Sequence, residues 1–150
     1  QMLGGWITDP EGIEGTIDGA PGLGVLPLRT EMVATKILQR AEYKGQEILK
    51  GLKVSGYEIH SGRSQLQRAK WMDLLEPPGL CVWDEKQKIL GTYLHGIFDI
   101  GEVANGLLQL TGKQIKPIPD HAQENLRELD RLADLIERYC NLSRILDGLC

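Results

Sequence analysis

The chain has 150 residues, 41% of them hydrophobic and 25% charged, with a formal net charge of -4 at pH 7. That is apolar material for one packed domain of ordinary size, and the acidic balance offers no basic field for a phosphate backbone, so nucleic acid is not expected as a partner. No apolar run approaches the ~20 residues that cross a bilayer, and the opening lacks the basic segment and apolar core of a signal peptide; no membrane association and a cytoplasmic location are expected.

The first thirty residues carry Gly4, Gly5, Gly12, Gly15, Gly19, Gly22 and Gly24 with Pro10, Pro21 and Pro27, which reads as looped ground interrupted by short elements. The opening Gln-Met-Leu-Gly-Gly-Trp has no strand before it, so the chain is expected to start mid-domain. Val25 to Leu28, Met32 to Leu38, and Glu47 to Ile59 predict a set of short strands. Two more strands, Leu80 to Trp83 and Ile89 to Leu94, are joined by the charged turn Asp84-Glu85-Lys86-Gln87-Lys88 and predict a hairpin. Asp99 with Glu102 three residues on matches a capping box, opening a helix over Gly101 to Leu110 that Thr111-Gly112 ends. From Pro119 to Leu149, apolar residues recur at intervals of three and four through Leu126, Leu129, Leu132, Ile136, Tyr139, Leu142, Ile145 and Leu149. That spacing predicts one or two amphipathic helices, with the stripe as a packing face on this domain rather than a coiled coil.

The three cysteines, Cys81, Cys140 and Cys150, are odd in number and lack CxxC spacing, which argues against a disulfide framework and a thiolate zinc site. Cys81 reads as a buried strand residue and Cys140 as part of a long helix, neither in the electropositive turn a nucleophilic thiolate needs. No metal site is visible in the pattern. Of the three histidines, His121 beside Asp120 reads as solvated surface at the start of the last helix. His95 follows a strand and precedes a helix, where open α/β sheets place reactive groups. His60 is expected to end another strand, with Glu58 two residues earlier on the same strand face; that pair is either a site or a satisfied hydrogen bond.

The segments around these histidines, Gly-Tyr-Glu-Ile-His-Ser-Gly at 56 to 62 and Gly-Thr-Tyr-Leu-His-Gly-Ile-Phe-Asp at 91 to 99, closely resemble the paired signatures of cobyric acid synthases. Gln1-Met2-Leu3-Gly4 is similar to the tail of that family's nucleophile segment, Cys-Gly-Gly-Tyr-Gln-Met-Leu-Gly. Asp9 to Gly15 and Gly22 to Pro27 also resemble family segments, in the family's order. The resemblance implies an α/β fold: the flavodoxin-like sheet of class I glutamine amidotransferases with flanking helices, residues 1 to 150 forming the C-terminal part of that domain and its N-terminal portion missing. It further implies that the nucleophilic cysteine lies four residues before Gln1, that this stretch alone is inactive, and that an N-terminal ATP- and magnesium-dependent synthetase domain belongs to the same polypeptide. In that family, ammonia from glutamine amidates carboxylates of a corrinoid, adenosylcobyrinic acid a,c-diamide.

By the same resemblance His95 is the catalytic histidine, Gln1 helps hold the glutamine, and Tyr57, Glu58 and His60 lie near the glutamine pocket. No cofactor is implied for this chain itself. Many class I amidotransferases carry His-x-Glu, the Glu orienting the imidazole; here the position two after His95 is Ile97, as cobyric acid synthases as a group also lack the Glu. Asp99 is a substitute orienter or, as the preferred reading, the cap of the following helix. Two rival functions stay open: the glutaminase domain of a related ligase, serving cobyrinic acid a,c-diamide synthesis or cell-wall amidation, and a non-catalytic docking module.

Overall fold

The computed structural model describes residues 1–15, 18–66 and 71–140. Its strands are β1 (Trp6–Thr8), β2 (Ala20–Pro21), β3 (Leu28–Gly45), β4 (Lys53–Leu66), β5 (Met72–Asp73), β6 (Leu75–Glu76), β7 (Cys81–Asp84), β8 (Ile89–Thr92) and β9 (Leu94–His95), and its helices α1 (Gly101–Gln109) and α2 (His121–Tyr139). A mixed sheet runs in the order β2-β1-β3-β4-β9, with β6 paired to β3; β5, β7 and β8 form a second, three-stranded sheet. β1 runs parallel to β3, while β3–β4, β4–β9 and β7–β8 are antiparallel.

The set of short strands expected between residues 25 and 59 is instead two long ones, of 18 and 14 residues, linked by a 3-10 turn at Glu47–Leu49. The reason is visible in β3. Leu28, Thr30 and Met32 are buried and alternate with exposed Arg29 and Glu31, but beyond Met32 both faces are largely wet and the hydrophobic signal fades. The ladder continues regardless, from Ile37↔His60 to Lys44↔Lys53, because backbone pairing does not need apolar side chains. His60 accordingly sits inside β4 rather than at a strand end. The register slips between Met32↔Gly62 and Ile37↔His60, so that residues 33–36 of β3 bulge opposite Ser61 alone. Such bulges bend a strand and re-aim its side chains.

The predicted hairpin is present: Cys81 pairs with Thr92 and Asp84 with Ile89. Its turn is organised by Asp84, whose Oδ1 accepts the backbone N–H groups of Lys86 and Gln87, each at 2.9 Å. The main core gathers Leu49, Val54, Leu74, Leu75, Cys81, Trp83, Leu94, Ile97, Val103 and Leu107. Leu94 and Ile97 flank His95 in sequence, and α1 closes over them with Val103 and Leu107. At about 1.5–3 kcal/mol for each fully buried large side chain, this packing anchors the segment that carries His95.

Two helix expectations are corrected. The residue at the N-cap of α1 is Ile100, and no capping box forms. The first backbone N–H of α1, from Gly101, donates instead to Asp120 Oδ1 at 2.5 Å, so the acceptor comes from the far side of the following loop. Helix α2 carries the predicted apolar stripe, yet none of its residues is buried: Leu126, Leu129, Leu132 and Leu135 are all more than half exposed. It is tied to the sheet region at its start, where the His121 N–H donates to the Asp99 carbonyl at 2.9 Å, and it runs outward from there. The stripe is therefore not a packing face on the described residues. Cys140 lies one residue past the helix, exposed; residues 141–150, with Cys150 and the rest of the predicted stripe, lie outside the described residues.

Candidate active site

β9 lies against β4 with Tyr57 opposite His95 and Glu58 opposite Leu94. The approach is close enough to require glycine at position 56, where a Cβ would stand 2.3 Å from the His95 carbonyl oxygen. Cross-strand partners share a face, so Tyr57 and His95 project to the outer, exposed side while Glu58 and Leu94 point inward.

A cleft of about 350 Å³ opens beside His95 and is lined by Gln1, Ile59, His60, Ser64 and Tyr93. Residues from three of the family-like sequence segments meet here: Gln1 from the opening, Ile59 and His60 from 56–62, and Tyr93 and His95 from 91–99. A second cleft, of about 370 Å³, lies on the other side of His95 against Arg40, Tyr57, Asp99 and His121. His95 thus stands at the rim shared by both. Tyr57 belongs to the second cleft, with the Arg40 guanidinium 5.9 Å from its ring centre, and is not brought together with His60 and Gln1.

Glu58 and His60, two apart on one strand face, meet as their spacing suggests. Glu58 Oε1 lies 2.8 Å from His60 Nε2, and His60 Nδ1 lies 2.8 Å from the Gly62 carbonyl. The other carboxylate oxygen accepts from Gln39 Nε2 at 2.9 Å and from the Tyr43 hydroxyl. Burial pushes the Glu58 carboxyl up, but the hydrogen bonds from Tyr43, His60 and Gln39 outweigh it and hold the group below its ordinary range. Glu58 itself is 4% exposed and lies behind His60, not on the cleft surface.

Three groups that sequence reasoning did not single out complete this wall. The Tyr93 ring stacks on His60 at 4.1 Å between centres, tilted by 30°. Its hydroxyl bonds Ser64 Oγ, which in turn lies 2.6 Å from Thr30 Oγ1. Burial pushes the Tyr93 hydroxyl up, more than its bonds to Ser64 and Thr30 lower it. Tyr93 had one available signal, its place two residues before His95; Thr30 and Ser64 are register partners across β3 and β4, which a sequence does not display.

Gln1 reaches into the same region. Its Oε1 is buried and receives no hydrogen bond among the described residues, while Nε2 faces Met32 Sδ at 4.0 Å. Gly62 makes room for it: a Cβ there would stand 2.6 Å from Gln1 Oε1 and 2.5 Å from Thr30 Cγ2. Asp99 turns its carboxylate toward Gly96 and, among the described residues, makes no hydrogen bond to His95. Ile97 is 2% exposed and belongs to the core, so the position two after His95 holds a packing residue. Cys81 is fully buried, and burial pushes its thiol up to about 11, which suits a core residue and not a nucleophile. Among the described residues no three His, Cys, Asp or Glu side chains stand together to hold a metal ion, and no helix is long and apolar enough to cross a membrane.

A mixed sheet with helices beside it, and a histidine at a strand end lining a cleft, define an α/β protein consistent with the class I glutamine amidotransferase fold. Residues 1–103 match the CobB/CobQ-like glutamine amidotransferase domain family, and the chain belongs to that family. It is 36% identical over 159 aligned positions to the cobyric acid synthase of Synechocystis sp., covering 99% of this chain and 32% of that protein. The cobyric acid synthases of Synechococcus elongatus (35% identical, 99% of this chain and 32% of the relative) and Nostoc punctiforme (34%, 97% and 32%) are similar to a comparable degree. The chain thus spans about a third of the length of the curated relatives it matches.

Proposed function

We propose that this chain is the glutaminase half of an ATP-dependent cobyric acid synthase, releasing ammonia from glutamine for amidation of corrinoid carboxylates on adenosylcobyrinic acid a,c-diamide. The observation that supports it most is the cleft itself, where Gln1, His60 and His95 from separate family-like segments line one space. In this reading His95 is the catalytic base and acid. A cysteine thiolate, expected four residues ahead of Gln1, attacks the glutamine side-chain amide, and the His95 imidazole delivers a proton to the departing ammonia. Backbone N–H groups hold the oxyanion of the tetrahedral intermediate. Gln1 holds the substrate: its buried Oε1 is an acceptor without a protein donor among the described residues, and leaving such a group unpaired costs about 1–3 kcal/mol, which a ligand N–H offsets.

Partners follow from the same reading. The N-terminal synthetase domain of the same polypeptide holds ATP and magnesium and takes up the ammonia, the corrinoid binds there, and the whole acts in the cytoplasm.

The test separates the two half-reactions. In a full-length cobyric acid synthase carrying this chain, His95→Ala is expected to abolish glutamine-dependent amidation while amidation from free ammonium salts survives, because carboxylate activation by ATP never uses the imidazole. Full glutamine-dependent activity in the variant, or loss of both activities in a folded protein, would overturn the assignment.

A further inference from the structure

His60 is engaged at both ring nitrogens by protein acceptors, Glu58 Oε1 at Nε2 and the Gly62 carbonyl at Nδ1, each at 2.8 Å. Two acceptors at two ring nitrogens call for two N–H groups, so neither nitrogen offers a lone pair to the cleft. What His60 turns to its surroundings is a ring face, and Tyr93 lies 4.1 Å away against it. Glu58 is in turn over-determined: Gln39 and Tyr43 from β3 hold its second oxygen, and its side chain is 5% exposed. A continuous polar wall therefore runs from Gln39 and Tyr43 through Glu58, His60, Tyr93 and Ser64 to Thr30. His60, Tyr93 and Ser64 of this wall face the cleft that His95 rims, and the β3 bulge lies opposite Ser61, next to His60.

We propose that Glu58 is a positioning residue that acts through His60: it locks the imidazole as a fixed, non-basic wall of the glutamine cleft and leaves His95 as the one histidine there free to move a proton. The inference rests on the glutaminase reading above and divides labour within the Glu-x-His segment. Glu58 fixes, His60 shapes the surface on which glutamine is oriented, and Tyr57, on the opposite strand face, takes no part in it.

Glu58→Gln keeps the shape and removes the charge. In the full-length enzyme it is expected to raise the KM for glutamine by about 10-fold with kcat within about 3-fold, the signature of lost ground-state positioning. Nitrogen NMR of His60 should show two protonated ring nitrogens in the wild type and one in the variant. If Glu58 works only through His60, Glu58→Gln added to His60→Gln should cost nothing more, whereas independent roles would multiply. Tyr43→Phe, which loosens Glu58 without altering its charge, should move KM in the same direction by less. The proposal is overturned by an unchanged KM in Glu58→Gln and Tyr43→Phe, by multiplicative effects in the double variant, by a singly protonated wild-type His60, or by a His60→Gln loss confined to kcat, which would make His60 itself a catalytic group. A wild-type enzyme that does not hydrolyse glutamine would sink the glutaminase reading instead, and the NMR measurement would still decide how His60 is held.

Discussion

At the scale of single residues, the site depends on side chains that are not there. Gly62 is the clearest case, because its missing Cβ is the space into which Gln1 Oε1 and Thr30 Cγ2 fit. Gly62→Ala would place a carbon 2.6 Å from the first and 2.5 Å from the second. Thr30 is 1% exposed and cannot retreat, so the Gln1 amide has to move. The expected outcome is a rise of about 10-fold or more in the KM for glutamine in the full-length enzyme, with an unfolding free energy lower by about 1–3 kcal/mol. Unaltered kinetics in the alanine variant would show that the Gln1 side chain has no part in holding substrate.

Residue scale is also where sequence and structure can be compared most sharply. The Glu58–His60 contact was legible because a period of two is a property of any strand, and the placement of His95 was legible because strand-then-helix punctuation surrounds it. Tyr57 shared the same segment and yet faces the other way, by that same period. Thr30 and Ser64 were not legible, since only register makes them neighbours, and the register here contains a bulge that no local pattern announces.

At the scale of elements, α1 shows how a correct element can carry a wrong reason. Gly101 to Gln109 is helical, but its first N–H is satisfied by Asp120, a residue 19 positions away, and not by the Asp99 and Glu102 of a capping box. The turn at Gly96 to Asp99 is closed by the Asp99 N–H donating to the Gly96 carbonyl at 2.9 Å, which commits Asp99 backbone to the loop. Asp120→Ala should therefore destabilise the protein by about 1–2 kcal/mol through an unpaired helix N-terminus. Asp99→Asn should change stability by no more than about 0.5 kcal/mol and leave the glutaminase rate within a few fold. Urea titrations of both variants check the first pair of values, and a loss of ~10²-fold in rate for Asp99→Asn would instead mark it as the group that orients His95.

The long strands and α2 make the complementary point about elements. A sheet face that is half wet at Arg40, Glu42 and Lys44 hides its length from hydrophobic periodicity, so β3 read as fragments. In α2 the periodicity is strong, with exposed pairs such as Glu124–Arg127 and Glu128–Arg131 on the polar side, but periodicity reports only that a helix is two-sided. Where the apolar side lies is decided by the path of the loop before it, which the three-residue spacing does not encode.

At the scale of the whole molecule, the buried titratable groups set the pH range over which the fold holds, and the sign follows from each shift. Asp9 is held below its ordinary 3.8 by the backbone N–H groups of Glu14 and Ile13, and Glu58 below its ordinary 4.5 because the donors from Tyr43, His60 and Gln39 outweigh burial. A carboxyl depressed in the folded state contributes stability above its unfolded value and loses it as pH falls through the folded one. Acid should therefore erode the fold progressively below about pH 4.5. Burial, and then Glu58, push the Tyr43 hydroxyl from 10.0 up to about 12, and burial pushes the Cys81 thiol from 9.0 up to about 11. For these groups the neutral form is favoured in the fold, so their contribution is complete below the unfolded value and is lost as pH rises toward the folded one. Alkali should erode the fold from about pH 9 upward, first through Cys81 and then through Tyr43. Tyr43→Phe tests both limbs at once, since it removes one titrating group and one donor to Glu58. The variant should lose about 1 kcal/mol at pH 7, lose less once acid has protonated Glu58, and show a flatter decline between pH 10 and 12. Urea-denaturation free energies at pH 3, 7, 10 and 11.5 measure this, and a Tyr43→Phe penalty that is the same at every pH would show that the hydroxyl is not coupled to the Glu58 charge.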